Sequence, residues 1–216
     1  MITKEQHTGW LKKEKCIQLQ KRWGDYDDFI KMPNIPGKIS VVHKIQEIAK
    51  KLKVGDTVIE TGCGAGHFMW SIKDSGLRLI GLDYSPHMLE LVKEQFSKID
   101  CDLTLIQGSC WEIELPDDSV DFAYQVDVCM HIGGSWDAIK EMIRISRKYV
   151  MFTGPSFETF KNTMDKKLKR TSWAISTPLL IEELEIMKSN DDIKFYDFAM
   201  RKASQTYQHK ILVIEK

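Results

Sequence analysis

Between Thr57 and Gly154 the chain keeps returning to one arrangement, a short apolar run followed by a segment with helical spacing. The apolar runs are TVIET (57–61), LRLIGLD (77–83), DLTLIQG (102–108), VDFAYQV (120–126) and KYVMFTG (148–154). Runs of this kind suit strands buried on both faces. Helical spacing appears in VVHKIQEIAKKL (41–52), from Gly66 through Ser75, in HMLELVKEQF (87–96) and in SWDAIKEMIRISR (135–147). Ser85 and Pro86 stand where a helix takes its N-cap and first residue. Strands that alternate with helices run parallel through right-handed crossovers, so the expected class is α/β with a doubly wound, mostly parallel sheet. The tail breaks the rhythm: IKFYDFAM (193–200) and TYQHKILVIEK (206–216) alternate apolar and polar residues across a polar link. They predict an antiparallel C-terminal hairpin at one edge and a seven-stranded sheet in all.

A chain of 216 residues buries one good core. Residues 41–216 are therefore read as the main domain, with a polar insertion at 155–177 that carries the basic run KNTMDKKLKR (161–170). Residues 1–40 lie outside the sheet, look helical and leave through MPNIPG, so they are expected to pack on as an N-terminal helical lid. Thirty-one basic residues balance thirty-one acidic ones, which argues against nucleic acid or an anionic membrane as partner and for a small molecule. No apolar run has the length of a signal peptide or a membrane span, and the five cysteines show no metal-ligand spacing. The expectation is a cytoplasmic protein with free thiols, a monomer or homodimer, and no bound metal.

The first strand ends in a carboxylate and then in glycines on alternate positions, TVIETGCGAGHF (57–68). Glycines so placed mark backbone that turns sharply or approaches a ligand closely. In a doubly wound sheet that loop is the usual ligand cradle. A dinucleotide loop reads G-x-G-x-x-G; this one is a residue shorter, with Glu60 two places before Gly62. A carboxylate there repels pyrophosphate and favours an ammonium. Asp83 ends the second strand, where an acid can accept both ribose hydroxyls. An amine joined to a ribose is the profile of S-adenosylmethionine.

VIETGCGAGHF, LIGLDYSPHML and GSCWEIELPDDSVDFAYQ, in that order, resemble the successive motifs of the class I S-adenosylmethionine-dependent methyltransferases. The resemblance covers roughly residues 45 to 153, and the terminal hairpin is similar to the family's closing antiparallel pair. It implies a Rossmann-like methyltransferase fold and S-adenosylmethionine as cofactor, with S-adenosylhomocysteine as product. On that reading Glu60 and the backbone of Thr61 and Gly62 hold the methionine part, while Gly62, Cys63, Gly64 and Gly66 pass beneath the cofactor. His67 faces its carboxylate. Asp83 binds the ribose, Tyr84 lies against the adenine, and Met88 belongs to the same motif. Ser109, Cys110 and Trp111 close the other face of the base with backbone N–H groups. The family often has an acid at the Ser109 position. Gln125 meets the methionine end through its backbone.

Methyl transfer from a sulfonium needs alignment, and a base only where the acceptor carries a proton. His131 follows the fourth strand as a candidate base or acceptor-orienting donor, against the alternative of a histidine that holds the next helix. Asp127 is aimed at the same region. A metal site there would want a second acid after strand five, where the chain has Thr153-Gly154-Pro155. Trp23, Tyr26 and Phe29 share a helical face and could roof an acceptor or simply form core, and Tyr26 is taken as the third catalytic candidate. The function expected is methyl transfer to a small-molecule O, N or S. The alternatives are an RNA or protein methyltransferase, or a protein that binds the cofactor without turnover.

Overall fold

The computed structural model describes residues 11–31, 38–128, 132, 135–155, 194–199 and 209–216. Helices α1 (Lys13–Trp23), α2 (Tyr26–Lys31) and α3 (Lys38–Ala49) precede β1 (Thr57–Thr61). Then come α4 (His67–Trp70), β2 (Arg78–Asp83), α5 (Pro86–Phe96), β3 (Leu103–Gln107), β4 (Val120–Gln125), α6 (Ser135–Ile145) and β5 (Ser146–Pro155). β6 (Lys194–Ala199) and β7 (His209–Glu215) close the chain. The strands lie in the order β3-β2-β1-β4-β5-β7-β6. β1 to β5 pair parallel with one another, while β7 pairs antiparallel with β5 and with β6, as the alternation of the tail predicts. Chain order reverses between β1 and β4, so the crevice at their carboxyl ends is the natural ligand site.

Each face of the sheet has its own core. Val58, Phe122, Tyr124 and Met151 meet α3, α4 and α5 through Ile45, Phe68, Val92 and Phe96. Ile59, Ala123, Val150 and Phe152 meet α6 through Ile139, Met142 and Ile145. Ser85 caps α5 as expected, its hydroxyl accepting from the Met88 N–H, with Pro86 at the first helical position.

Two expectations are corrected. The helix after Gly66 is a single turn that ends at Trp70 instead of reaching Ser75. The Ser71 and Ser75 hydroxyls bond the carbonyls of Phe68 and Ile72 at 2.6 and 2.5 Å, and the N–H groups of Ser71 and Ile72 turn back three residues, so the chain proceeds as tight turns. Trp23 and Tyr26 do not share one helix. Gly24, at φ 78°, ends α1, and the Asp25 carboxylate caps α2 by accepting from the N–H groups of Asp27 and Asp28. The 155–177 insertion lies almost wholly outside the described residues, as do residues 1–10 and the MPNIPG exit.

Candidate functional site

The glycine loop leaves β1 with Gly62, Gly64 and Gly66 all at positive φ. Their spacing lets the backbone fold back on β2: the N–H groups of Gly62 and Cys63 donate to the Leu82 carbonyl at 2.7 and 3.0 Å. Gly62 also faces the segment after β4, where an added Cβ would stand 2.5 Å from Val128 Cγ2. Gly64 looks the other way. A Cβ on it would meet nothing within 4 Å, so bare backbone borders open space.

Asp83 sits at the end of β2 beside this opening. One carboxylate oxygen accepts the Gly64 N–H and the other the Ser85 N–H, both at 2.8 Å. Burial raises its pKa, and the N–H groups of Ser85, Gly64 and Tyr84 oppose that rise. A carboxylate has about four acceptor sites, so with these three N–H groups against it one lone pair is left for a hydroxyl donor. Next to it Tyr84 is 45% exposed, one of few large apolar side chains so presented among the described residues. An oriented carboxylate, an open backbone edge and an uncovered ring suit a nucleoside with free ribose hydroxyls.

Glu60 is elsewhere. It is 1% exposed, on the face opposite α6, and accepts the Tyr124 hydroxyl at 3.2 Å and the Met69 N–H. Burial pushes its carboxyl well above the usual carboxylate range. The expected ammonium partner at the mouth of the loop is instead a brace beneath it, joining β1, β4 and α4. Tyr124 was not among the sequence candidates, although its place across from Glu60 in the β1–β4 register accounts for the bond.

His67 is likewise turned away from the opening. Its ring is 5% exposed, stacks on Tyr26 at 4.0 Å and 4°, and bonds the Gly24 carbonyl at 3.2 Å. A carbonyl can only accept, so Nε2 carries the proton in the neutral ring. Burial lowers the pKa to about 4. The Tyr26 hydroxyl donates to the Ala65 carbonyl at 2.7 Å, and burial lifts its pKa to about 12. Tyr26 thus braces the glycine loop and does not face an acceptor. Phe29 and Trp23 complete the packing against Phe68, and Asp27 accepts the Trp70 indole N–H at 2.8 Å. The aromatic face of the N-terminal helices is core, as the structural alternative had it. Met88 is buried with Cys16 and Ala65, at the contact between α1 and α5.

On the α6 side the Thr61 hydroxyl lies 3.3 Å from Gln125 Oε1 and 3.4 Å from Met142 Sδ. Thr61 and Gln125 are fully buried at the ends of β1 and β4, leaving backbone as what they offer the crevice. After β3, Ser109 forms an isolated bridge with Glu112, and its hydroxyl accepts the Trp111 N–H at 3.2 Å. Serine here shapes the loop, and the Trp111 N–H is engaged within it. Cys63 and Cys110 are buried thiols; burial raises the first well above its ordinary value and the second to about 12, so neither is a thiolate at neutral pH.

Asp127 follows β4 in the left-handed region, at φ 59°. Its N–H donates to the Thr153 hydroxyl, which donates back to its carboxylate at 3.1 Å, and the other oxygen pairs with Lys38. Lys38, absent from the sequence candidates, lies over the rings of Trp23 and Phe68 and so ties the N-terminal helices to the ends of β4 and β5. His131 lies outside the described residues. Among the described residues no group of three or more His, Cys, Asp or Glu is placed to hold a metal ion, and no helix is long and apolar enough to cross a membrane.

Residues 59–152 match the family model described as a methyltransferase domain. A protein of Mycolicibacterium smegmatis, named a probable S-adenosylmethionine-dependent methyltransferase, is 31% identical over 116 residues, 53% of this chain and 44% of that one. An uncharacterized methyltransferase of Mycobacteroides abscessus is 29% identical over 109 residues, 47% of this chain and 42% of that one. The chain spans less than half the length of these curated relatives. Magnesium protoporphyrin IX methyltransferase from Synechocystis, solved with bound SAH, superposes with a TM-score of 0.72 at 13% identity, covering 99% of this chain and 100% of that one. At that identity the likeness is one of fold. The crevice between β1 and β4, with an oriented acid at the end of β2, therefore lies in the segment that matches the methyltransferase-domain model, on a fold shared with a methyltransferase solved with bound SAH.

Proposed function

We propose that this chain transfers the methyl group of S-adenosylmethionine to a small-molecule acceptor. The carrying observation is Asp83, fixed by the Gly64 and Ser85 N–H groups beside the open edge of the glycine loop. Asp83 would accept from a ribose hydroxyl and Tyr84 would cover the adenine. The bare backbone of Gly64 admits close approach of the cofactor chain. The backbone of Thr61, Gly62 and Gln125 at the strand ends would take the methionine portion. Glu60 serves this indirectly, because its bonds to Tyr124 and Met69 hold the loop over α4.

When bound, the cofactor supplies a methyl group on a cationic sulfur, open to in-line displacement. The protein's task is then orientation and exclusion of water, and orientation alone can lower a barrier by about 7–11 kcal/mol. Residues 1–40 act as the lid over residues 41–216, with the Lys38–Asp127 pair fastening it. Asp127, already bonded by Lys38 and Thr153, is suited to holding this edge in place rather than to accepting a proton. Where the acceptor carries a proton, His131 takes the base role. The balanced charge of the chain favours a small acceptor over a polyanion.

Calorimetry of ligand-stripped protein tests the cofactor half: S-adenosylmethionine should bind and nucleotide phosphates should not. Release of S-adenosylhomocysteine with a panel of small O, N and S acceptors tests the rest. Heat with a nucleotide phosphate and none with S-adenosylmethionine would overturn the proposal.

A further inference from the structure

Within the loop after β3 run the Ser109–Glu112 bridge, the Ser109–Trp111 bond and a tight turn from the Leu115 N–H to the Ile113 carbonyl. A further hold comes from α6, some 30 residues along the chain. Glu141 Oε2 accepts the Ile113 N–H at 2.8 Å, and Arg144 Nη2 donates to the Ile113 carbonyl at 2.9 Å. Arg144 Nη1 reaches the Leu115 carbonyl at 2.9 Å and the Asp117 carboxylate at 2.7 Å. The Arg144 carbonyl accepts the Asp118 N–H at 2.9 Å. Glu141 and Arg144 are joined by two further bonds of 2.8 Å, from Nε to Oε1 and from Nη2 to Oε2.

The geometry is that of a fork on a fork. Arginine's planar guanidinium meets the carboxylate with two parallel bonds, and the outer edge of the pair then offers one acceptor and one donor to a single residue. Ile113 is gripped by both its N–H and its C=O, as it would be by a neighbouring strand. Residues three apart on a helix share a face, so α6 presents the fork ready-made. The Arg144 bond holds the Glu141 carboxyl below the ordinary glutamate range, and so keeps the pair ionised at neutral pH.

The same helix touches the other sides of the crevice. Met142 meets the Thr61 hydroxyl at the end of β1. Ala138 packs with Cys110 and Ile132, beside Trp111 and the Val128 that lies against Gly62. One rigid element therefore sets the distance between the loop after β3 and the strand ends where a methyl group would pass.

We infer that Glu141 and Arg144 are positioning residues that hold the loop after β3 in its base-covering shape before ligand arrives. The inference rests on the cofactor reading given above. Such a loop binds more tightly because its ordering is already complete, and it discriminates because its polar groups cannot shift to suit another base. Lysine at position 144 keeps the charge but loses the fork, so it should not restore the effect.

The test is calorimetry of the full chain with S-adenosylhomocysteine and with its 6-deaminated analogue, S-inosylhomocysteine. For Arg144→Met we expect S-adenosylhomocysteine to bind roughly tenfold more weakly, the scale of lost charge-assisted hydrogen bonds. The preference for adenosyl over inosyl should fall with it, and Arg144→Lys should behave like Arg144→Met. Glu141→Gln keeps an acceptor for the Ile113 N–H and removes the charge, so it should show a smaller loss of the same kind. It also supplies the test if the position-144 variants do not fold. Unchanged affinity and preference in folded variants would overturn the inference. So would an equal loss for both nucleosides, which is what general loosening produces. If the unaltered protein binds neither nucleoside, the cofactor reading itself falls.

Discussion

His67 makes the attachment of the N-terminal helices sensitive to acid, and the size of the effect follows from its surroundings. In the folded chain the ring is enclosed by Tyr26 and Phe29 beside Trp23, with the Gly24 carbonyl on Nε2 and Asp25 as the nearest stabilising charge for a proton. Burial outweighs both and sets the pKa at about 4, against an ordinary value of 6.5. Since the folded value is the lower one, the unfolded chain takes up the proton first. The stability due to neutral His67 is fully present above pH 6.5 and is lost as pH falls toward 4. At about 1.4 kcal/mol for each pH unit, the loss reaches about 3 kcal/mol. Glu60 acts in the opposite sense, because its raised pKa lets the folded chain bind a proton that the unfolded chain releases. The wild-type slope alone is therefore a mixture, and the informative quantity is a difference. His67→Phe keeps the stack on Tyr26 and removes the titration. At pH 7.5 the variant should be less stable by about 1 kcal/mol for the lost hydrogen bond. By pH 5 the wild type should have lost about 2 kcal/mol of its advantage, so the order reverses. Urea unfolding followed by tryptophan fluorescence at pH 7.5, 6 and 5 measures the gap. A gap that does not move with pH would show that the ring is not buried as described.

Gly62→Ala must place a side chain at φ 70° and against Val128, which should destabilise the apo protein by about 2–5 kcal/mol; adding Val128→Ala should recover the steric part alone, read as a favourable coupling in a double-mutant cycle. Asp83→Asn should weaken S-adenosylhomocysteine binding by about 1.5–3 kcal/mol, roughly 10- to 150-fold by calorimetry, with unchanged affinity refuting the ribose assignment. Asp121 lies at the opposite end of the sheet, where burial raises its pKa but Arg147, the Thr57 N–H and Lys148 together hold it well below the carboxylate range. Asp121→Asn should therefore cost about 1.5–3 kcal/mol at pH 7 in urea unfolding, and the gap to wild type should close only in strong acid, as pH falls below 3.8 through the folded value.

What could be read from sequence divides by how each role is fixed. Asp83, Gly62 and Gly64 owe their places to the backbone: a strand end, a fold-back and an open edge follow from chain position, and the spacing of GCGAG and LDYSP carries that information. The strands were legible for the same reason, since an apolar run of a given length has few other uses in an α/β chain. Glu60 stood at the expected position but its role came from an arrival. The side chain of β4 that lies across from it is Tyr124, whose hydroxyl draws the carboxylate beneath the loop, and no local pattern announces that pairing. Tyr26 and His67 were singled out on separate segments, and the break at Gly24-Asp25 is what lets one stack on the other. Lys38 with Asp127, and Glu141 and Arg144 with Ile113, likewise join elements far apart in the chain. The i,i+3 spacing of Glu141 and Arg144 marks an ion pair on a helix face, but only the approach of the β3 loop turns it into a clamp. The charged residues that a motif leaves unexplained are thus the ones whose meaning depends most on tertiary contact, and around this crevice they connect the loops and strand ends that border it.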